Sequence, residues 1–313
     1  MQNLFFKTAM VFTLAVLSSL NSVYAEQKDQ CQLAFENLKN TYANSNIEAT
    51  VINSDHTEMT PYALVHFSKN NISYSTWKSL NNEVAGYALR QDKGFDFNQN
   101  QGFVGPLVWH QSLIWDKLFS KKTYLKGYDC NILGRTRLAG RKVTVLRLSP
   151  VDELRYSYIV SKDDDTNLPV ELAVLSPNQS VATKFTTTAV HSTASLQLTF
   201  PDETFDRVDK LSVKKTENKL TPWPELTIPG NFSMEYEGKQ EQAEGVILDY
   251  QSFTDGLVEF RVYKNSVTTI SVTSATDGTL SVLRKKNNKN EYAVVGEIPL
   301  ELSNLILSKI AEN

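Results

Sequence analysis

The residues in this sequence with obvious chemical potential are two cysteines, four histidines, a run of three aspartates and one basic cluster. None of them is spaced for catalysis. His56, His66, His110 and His191 are scattered and give, with the cysteines, no metal-ligand pattern. Asp163-Asp164-Asp165 lacks the spaced ligands of a calcium loop and reads as an acidic turn. Asp152 and Glu153 are adjacent, and on a strand adjacent side chains point to opposite faces, so they do not read as a working pair of carboxylates. His110, between Trp109 and Trp115, reads as a packing residue. Asn71, Asn178 and Asn231 begin N-x-S sequons, which matter only in a eukaryotic secretory route. There is no phosphate-binding glycine loop, no HExxH and no GxSxG. No enzyme and no cofactor are expected.

The cysteines carry more. Lys7 is followed by an apolar stretch from Met10 to Leu17, and then by Val23-Tyr24-Ala25, with small residues at −3 and −1. This is the pattern of a secretory signal peptide cleaved after Ala25. The apolar run is well short of the roughly 20 residues that span a bilayer. Cys31 is not set in a lipobox. In an oxidising compartment the even pair Cys31 and Cys130 predicts one disulfide, tying the first helix to a distant strand. No later stretch is apolar enough to span a membrane. A net charge of −3 argues against nucleic acid as a general partner. With 41% hydrophobic residues the chain has enough apolar material for real cores.

The basic cluster Gly134 to Lys142, with Arg135 and Arg137 and extended by Arg147 and Arg155, reads either as a solvated hairpin or as a patch facing an anion. The segment Val108 to Phe119 is apolar on more than one side of a helix. That composition fits a buried helix or one that covers an apolar cavity. On the second reading Trp109, Leu113, Trp115 and Phe119 are the candidate lipid-facing residues.

The elements that must hold these residues are mostly strands. Residues 26–44 read as a helix, with Leu33, Leu38 and Tyr42 near one face. Short β-branched and aromatic runs follow at Ile47 to Ile52, Tyr62 to Phe67, Ile72 to Thr76, Val84 to Leu89 and Gly94 to Phe97. Period-two alternation is strongest at Thr144 to Leu148 and Arg155 to Val160, and Leu168 to Leu175 resumes the sheet after the aspartate turn. Pro169 should open a strand or lie at an edge, since it cannot donate to a ladder. Val181 to Val190 is a further strand. Pro201 to Leu220 is charged and broken and reads as a connection. Beyond it, strands are expected at Val246 to Phe253, Leu257 to Tyr263, Thr268 to Thr273, Thr279 to Leu283 and Tyr292 to Val295. A helix opened by Pro299 carries Leu302, Leu305, Ile306 and Ile310. The expected division is residues 26–200, a connection at 201–220, and 221–313.

On these residues the sequence resembles the RseB/MucB family, periplasmic regulators of the sigma-E envelope stress response. The matching segments are Leu133-Gly134-Arg135-Thr136-Arg137-Leu138-Ala139, Leu154 to Val160 and Leu168-Pro169-Val170, followed by Trp223-Pro224 to Gly230 with Phe232, Thr254-Asp255-Gly256-Leu257, and Val294 to Pro299. Residues 53–125 diverge most. The resemblance implies an α+β, β-rich fold: a half-open antiparallel β-barrel with helices, like the lipoprotein carriers, and a smaller α/β C-terminal domain. It implies binding of the periplasmic domain of the anti-sigma factor RseA. It also implies shielding of RseA from proteolysis, and release by lipopolysaccharide or another acyl-chain ligand. Asp255, Gly256, Leu257, Gly296 and Glu297 are then the candidate partner contacts. The alternative is a periplasmic lipid or lipoprotein carrier built on the same half-barrel.

Overall fold

The structure is a computed structural model. It describes residues 28–55, 58–81, 85–91, 93–98, 100–104, 110–192, 223, 226, 228–241, 247–265, 273–286 and 290–311. The signal peptide expected at residues 1–25, the connection expected at 201–220, Trp109 and most of the strand expected at Thr268 to Thr273 lie outside the described residues.

Eleven strands form one antiparallel sheet. They are β1 (Ile47–Ser54), β2 (Met59–Lys69), β3 (Ile72–Ser79), β4 (Gly86–Arg90), β5 (Lys93–Asp96), β6 (Gln101–Val104), β7 (Tyr128–Leu138), β8 (Arg141–Pro150), β9 (Ser157–Asp163), β10 (Pro169–Leu175) and β11 (Val181–Ser192). Their order is β6-β5-β4-β3-β2-β1-β11-β10-β9-β8-β7. Two meanders of hairpins therefore meet where β1 pairs with β11. The edges β6 and β7 do not pair, so the barrel-like sheet stays unclosed. Pro169 is the first residue of β10, where its missing N–H is tolerated. The β7–β8 hairpin turns at Ala139 and Gly140, both at positive φ (48° and 78°), as a two-residue turn that follows strand twist requires.

A helix through residues 28–44, α1, packs on this sheet. Its buried stripe is Cys31, Phe35, Leu38 and Tyr42, at spacings of four, three and four. Leu33, expected on that face, is instead 63% exposed. The Cys31–Cys130 disulfide ties α1 to β7 across a sequence separation of 99. Beside it Lys28 pairs with Asp129, also of β7. The helix expected over Val108 to Phe119 is shorter: α2 (Leu113–Leu118) has six residues, less than two turns. Its neighbours bury Leu113, Ile114, Trp115 and Leu118, which explains why no single apolar face stands out in the sequence.

The second sheet has six strands: β12 (Ser233–Glu241), β13 (Ile247–Thr254), β14 (Glu259–Asn265), β15 (Ser274–Asp277), β16 (Leu280–Lys286) and β17 (Glu291–Gly296). Their order is β12-β13-β14-β17-β16-β15, with only antiparallel neighbours. The final helix α3 (Leu300–Ala311) packs on β16 and β17. It buries Leu302, Ile306, Leu307 and Ile310, and Ser281 of β16 hydrogen-bonds to Ile298 O at 2.6 Å beneath it. The fold is thus α+β and β-rich, an open barrel-like sheet followed by a smaller sheet with one helix. Among the described residues no helix is long and apolar enough to cross a membrane.

Candidate functional site

Between the two sheets lies a cavity of about 360 Å³, a size suited to a small ligand. Its walls come from four places. Tyr42 stands at the end of α1, and Leu113, Lys117 and Phe119 stand on or beside α2. Leu89 and His66 come from β4 and β2 of the large sheet. Gly256, Leu257 and Val258 come from the turn between β13 and β14 of the small one. Neither sheet encloses the space alone.

Asp116 organises this region. Its carboxylate accepts from Trp77 Nε1 at 2.9 Å, from the Tyr87 hydroxyl at 3.1 Å and from the Tyr42 hydroxyl at 3.4 Å. One acid thereby pins α2 to β3, β4 and α1. Burial pushes the Asp116 carboxyl up to about 6, while hydrogen bonds from Trp77, Ser75, Tyr87 and Tyr42 oppose that rise. His66, 1% exposed, stacks on the Tyr42 ring at 4.2 Å, and burial pushes its imidazole down to about 4. Sequence reasoning singled out neither residue as functional. A lone acid in an apolar helix was the available signal for Asp116, but its partners are 29, 39 and 74 residues away.

These two groups push the pH dependence of stability in opposite directions. The folded pKa of Asp116 lies above its ordinary value of 3.8, so its contribution is greatest at low pH and falls as pH rises toward about 6. The folded pKa of His66 lies below its ordinary 6.5, so its contribution is full above that pH and falls as pH drops toward about 4. Asp116→Asn removes the first effect and leaves the second. The urea midpoint of this variant should fall more steeply than wild type between pH 6.5 and 4.5. Parallel pH profiles would contradict the assignment.

Three of the lipid-facing candidates are placed, and they separate. Leu113 and Phe119 line the cavity. Trp115 does not; it is 1% exposed and packed among Tyr42, Trp77, Phe119 and Phe185. An acidic substitution at Trp115 would disrupt the core rather than report on a ligand. In the basic cluster, Arg135 and Arg137 are exposed on β7. Arg155 is not part of that surface. Its guanidinium is 1% exposed, pairs with Asp152 at 2.8 Å and Asp255 at 2.7 Å, donates to Gly127 O at 2.9 Å, and stacks over Tyr128. Asp152 and Glu153 sit in a turn after β8, not on a strand, and Asp152 serves this guanidinium.

Of the five partner candidates, Asp255 and Glu297 bond across the contact between the sheets, Gly256 and Leu257 line the cavity there, and Gly296 packs inside the small sheet. Asp255 Oδ2 takes the Arg155 pair, while its Oδ1 accepts from the N–H groups of Leu257 and Val258 at 2.9 and 3.0 Å. Gly256 turns the chain at φ 91° and is exposed. Leu257 is a buried cavity wall. Gly296 lets β17 approach β14, because a Cβ there would stand 2.3 Å from the Phe260 Cβ. Glu297, 3% exposed, pairs with Lys117 of α2 at 2.8 Å. Two further bonds cross the same contact, Tyr156 to Thr279 O at 3.0 Å and Gln111 to Asp277 at 2.9 Å.

Among known proteins, the family model described as the MucB/RseB N-terminal domain matches residues 31–210. The sigma-E factor regulatory protein RseB of Haemophilus influenzae is 22% identical over 97% of this chain and 98% of its own length. RseB of Escherichia coli K12 is 27% identical over 59% of this chain and 58% of its own. Among solved structures, a chain of the Pseudomonas aeruginosa MucA/MucB complex superposes with a TM-score of 0.66 at 16% identity, covering 88% of this chain and 96% of that one. A structure of MucB alone gives a TM-score of 0.58 at 17% identity, covering 89% and 96%. That likeness shows a shared fold. The model match, spanning more than half of the sequence and including the GRTR and RYSYIV segments, shows that this chain belongs to the MucB/RseB family.

Proposed function

We propose that this chain is a periplasmic regulatory binding protein. It holds the periplasmic domain of an anti-sigma factor of the RseA or MucA kind, shields it from proteolysis, and lets it go when a lipid-like ligand signals envelope stress. The observation that carries this reading is the end-to-end relationship to RseB of Haemophilus influenzae, over 97% of one chain and 98% of the other. A solved relative of the same fold is MucB in complex with periplasmic MucA. Leu113 and Phe119 are the residues we assign to an acyl chain, and the exposed Arg135 and Arg137 to an anionic group. Asp255 and Glu297 are tied across the contact between the sheets and Leu257 walls the cavity there, so a partner that reaches them must do so as that contact opens.

A carrier is the second reading, favoured by the apolar residues lining the cavity. It needs only the large sheet, whereas here the small sheet supplies one cavity wall. A protection assay separates the two. Added to the anti-sigma periplasmic domain and its first protease, the mature chain should slow cleavage, and lipopolysaccharide should restore it. Unchanged cleavage with lipid still bound would favour the carrier.

A further inference from the structure

Lys117 has two competing environments. Its ammonium pairs with Glu297 across the contact between the sheets, where the Glu297 side chain is buried. The same lysine lines the cavity, together with Lys121 and Lys122. The remaining wall includes the apolar groups of Leu89, Leu113, Phe119 and Leu257. Two carboxylates also face this space, but both are already engaged. Asp116 is held by Trp77, Tyr87 and Tyr42, and Glu259 accepts from Ser252 at 2.5 Å and Tyr236 at 2.7 Å. An apolar interior with three cations in its wall is complementary to a single-chain amphiphile with an anionic head. The chain gains by leaving water, and the head gains a charge-assisted hydrogen bond.

We propose that an anionic amphiphile seated in this cavity takes Lys117 from Glu297, and that the exchange loosens the contact between the two sheets. This rests on the ligand-responsive reading above and names the residue that responds. Once Lys117 turns to the ligand, Glu297 is left as a buried carboxylate without its cation. Such a group is strongly disfavoured, so the small sheet shifts to let it meet water. The second tie between the sheets is exposed to the same event. Gly256 to Val258 form a cavity wall, and Asp255, within that turn, holds Arg155. Ligand entry and closure of the sheets then oppose each other, and linkage makes the opposition reciprocal.

The test uses the whole mature chain with dodecyl phosphate, and dodecyl maltoside as the uncharged comparison, each below its micelle concentration. Binding is read by calorimetry. The separation of the sheets is read from spin labels at the exposed positions Leu133 and Met234. Lys117→Met also unpairs Glu297 and so loosens the contact for both amphiphiles, so the preference for dodecyl phosphate over dodecyl maltoside is the quantity to read, and it should fall about tenfold, one charge-assisted contact. Glu297→Gln should bind dodecyl phosphate more tightly than wild type, because the competitor for Lys117 is gone. Glu301→Gln, an exposed acid nearby, should not. In wild type, dodecyl phosphate should broaden or shift the label distance and dodecyl maltoside should not. Equal or weaker binding by Glu297→Gln, or an unchanged preference for dodecyl phosphate over dodecyl maltoside in Lys117→Met, would overturn the exchange. Capture of the anti-sigma segment is measured in a separate titration without amphiphile, so failure there would fall on the regulatory reading and not on this one.

Discussion

Arg155→Met should destabilise the protein by about 3–5 kcal/mol, the range for removing one partner of a buried ion pair. Arg155 and Asp255 are 1% and 0% exposed at the side chain, and 2.7 Å apart. The substitution leaves Asp255 buried without its cation. It also leaves the carbonyls of Lys126 and Gly127 without the guanidinium that caps them. Asp255→Asn in the same background should recover part of the loss, since it removes the uncompensated charge. The amide can still accept from Leu257 and Val258 through its oxygen. Urea unfolding of the single and double variants measures this coupling. A loss below about 1 kcal/mol would mean that the pair behaves as an exposed one.

Removing the disulfide should cost a similar amount by a different route. Cys31 and Cys130 close a loop with a sequence separation of 99. Constraining a loop of that length in the unfolded chain is worth about 4–5 kcal/mol on the chain-entropy estimate. The folded side also loses the tether that sets α1 against β7, and with it the placement of Tyr42 at the cavity. The Cys31→Ala, Cys130→Ala variant should therefore unfold at a clearly lower urea concentration than the oxidised wild type. Its midpoint should match that of the reduced wild-type chain. Identical midpoints for oxidised and reduced protein would mean that the bridge adds nothing to stability.

Much of the scaffold was legible where burial imposes a period. β8 alternates because one face is covered, whereas β9 and β10 are buried on both faces and show as short β-branched and aromatic runs, and Pro169 marks the start of β10 as its chemistry demands. α3 was legible from Leu302, Ile306 and Ile310 after Pro299. β12 and β15 were not, because an edge strand with little buried surface has no alternation to show; all four residues of β15 are exposed. α1 was placed, but its buried stripe was misread at Leu33. Phe35 and Leu38 fix the face, and their spacing fits a helix as well as any alternative.

The site was less legible, because its parts are distant in sequence. Arg155 looked like an extension of the surface arginines, yet its partner is 100 residues away. Glu297 meets Lys117 across 180 residues. No local pattern encodes either contact. The compartment argument for Cys31 and Cys130 worked because it depends on redox environment and cysteine number rather than on position.

One titration separates a lipid-released regulator from a carrier. The periplasmic domain of an RseA-like anti-sigma factor is added to the mature chain, with affinity read by calorimetry in the presence and absence of a lipopolysaccharide fragment. Binding should be saturable and should weaken when the fragment is present, by a factor of about 5–150, the span of typical coupling energies between linked sites. No binding of the anti-sigma domain, with the lipid fragment still bound, would contradict the regulatory reading.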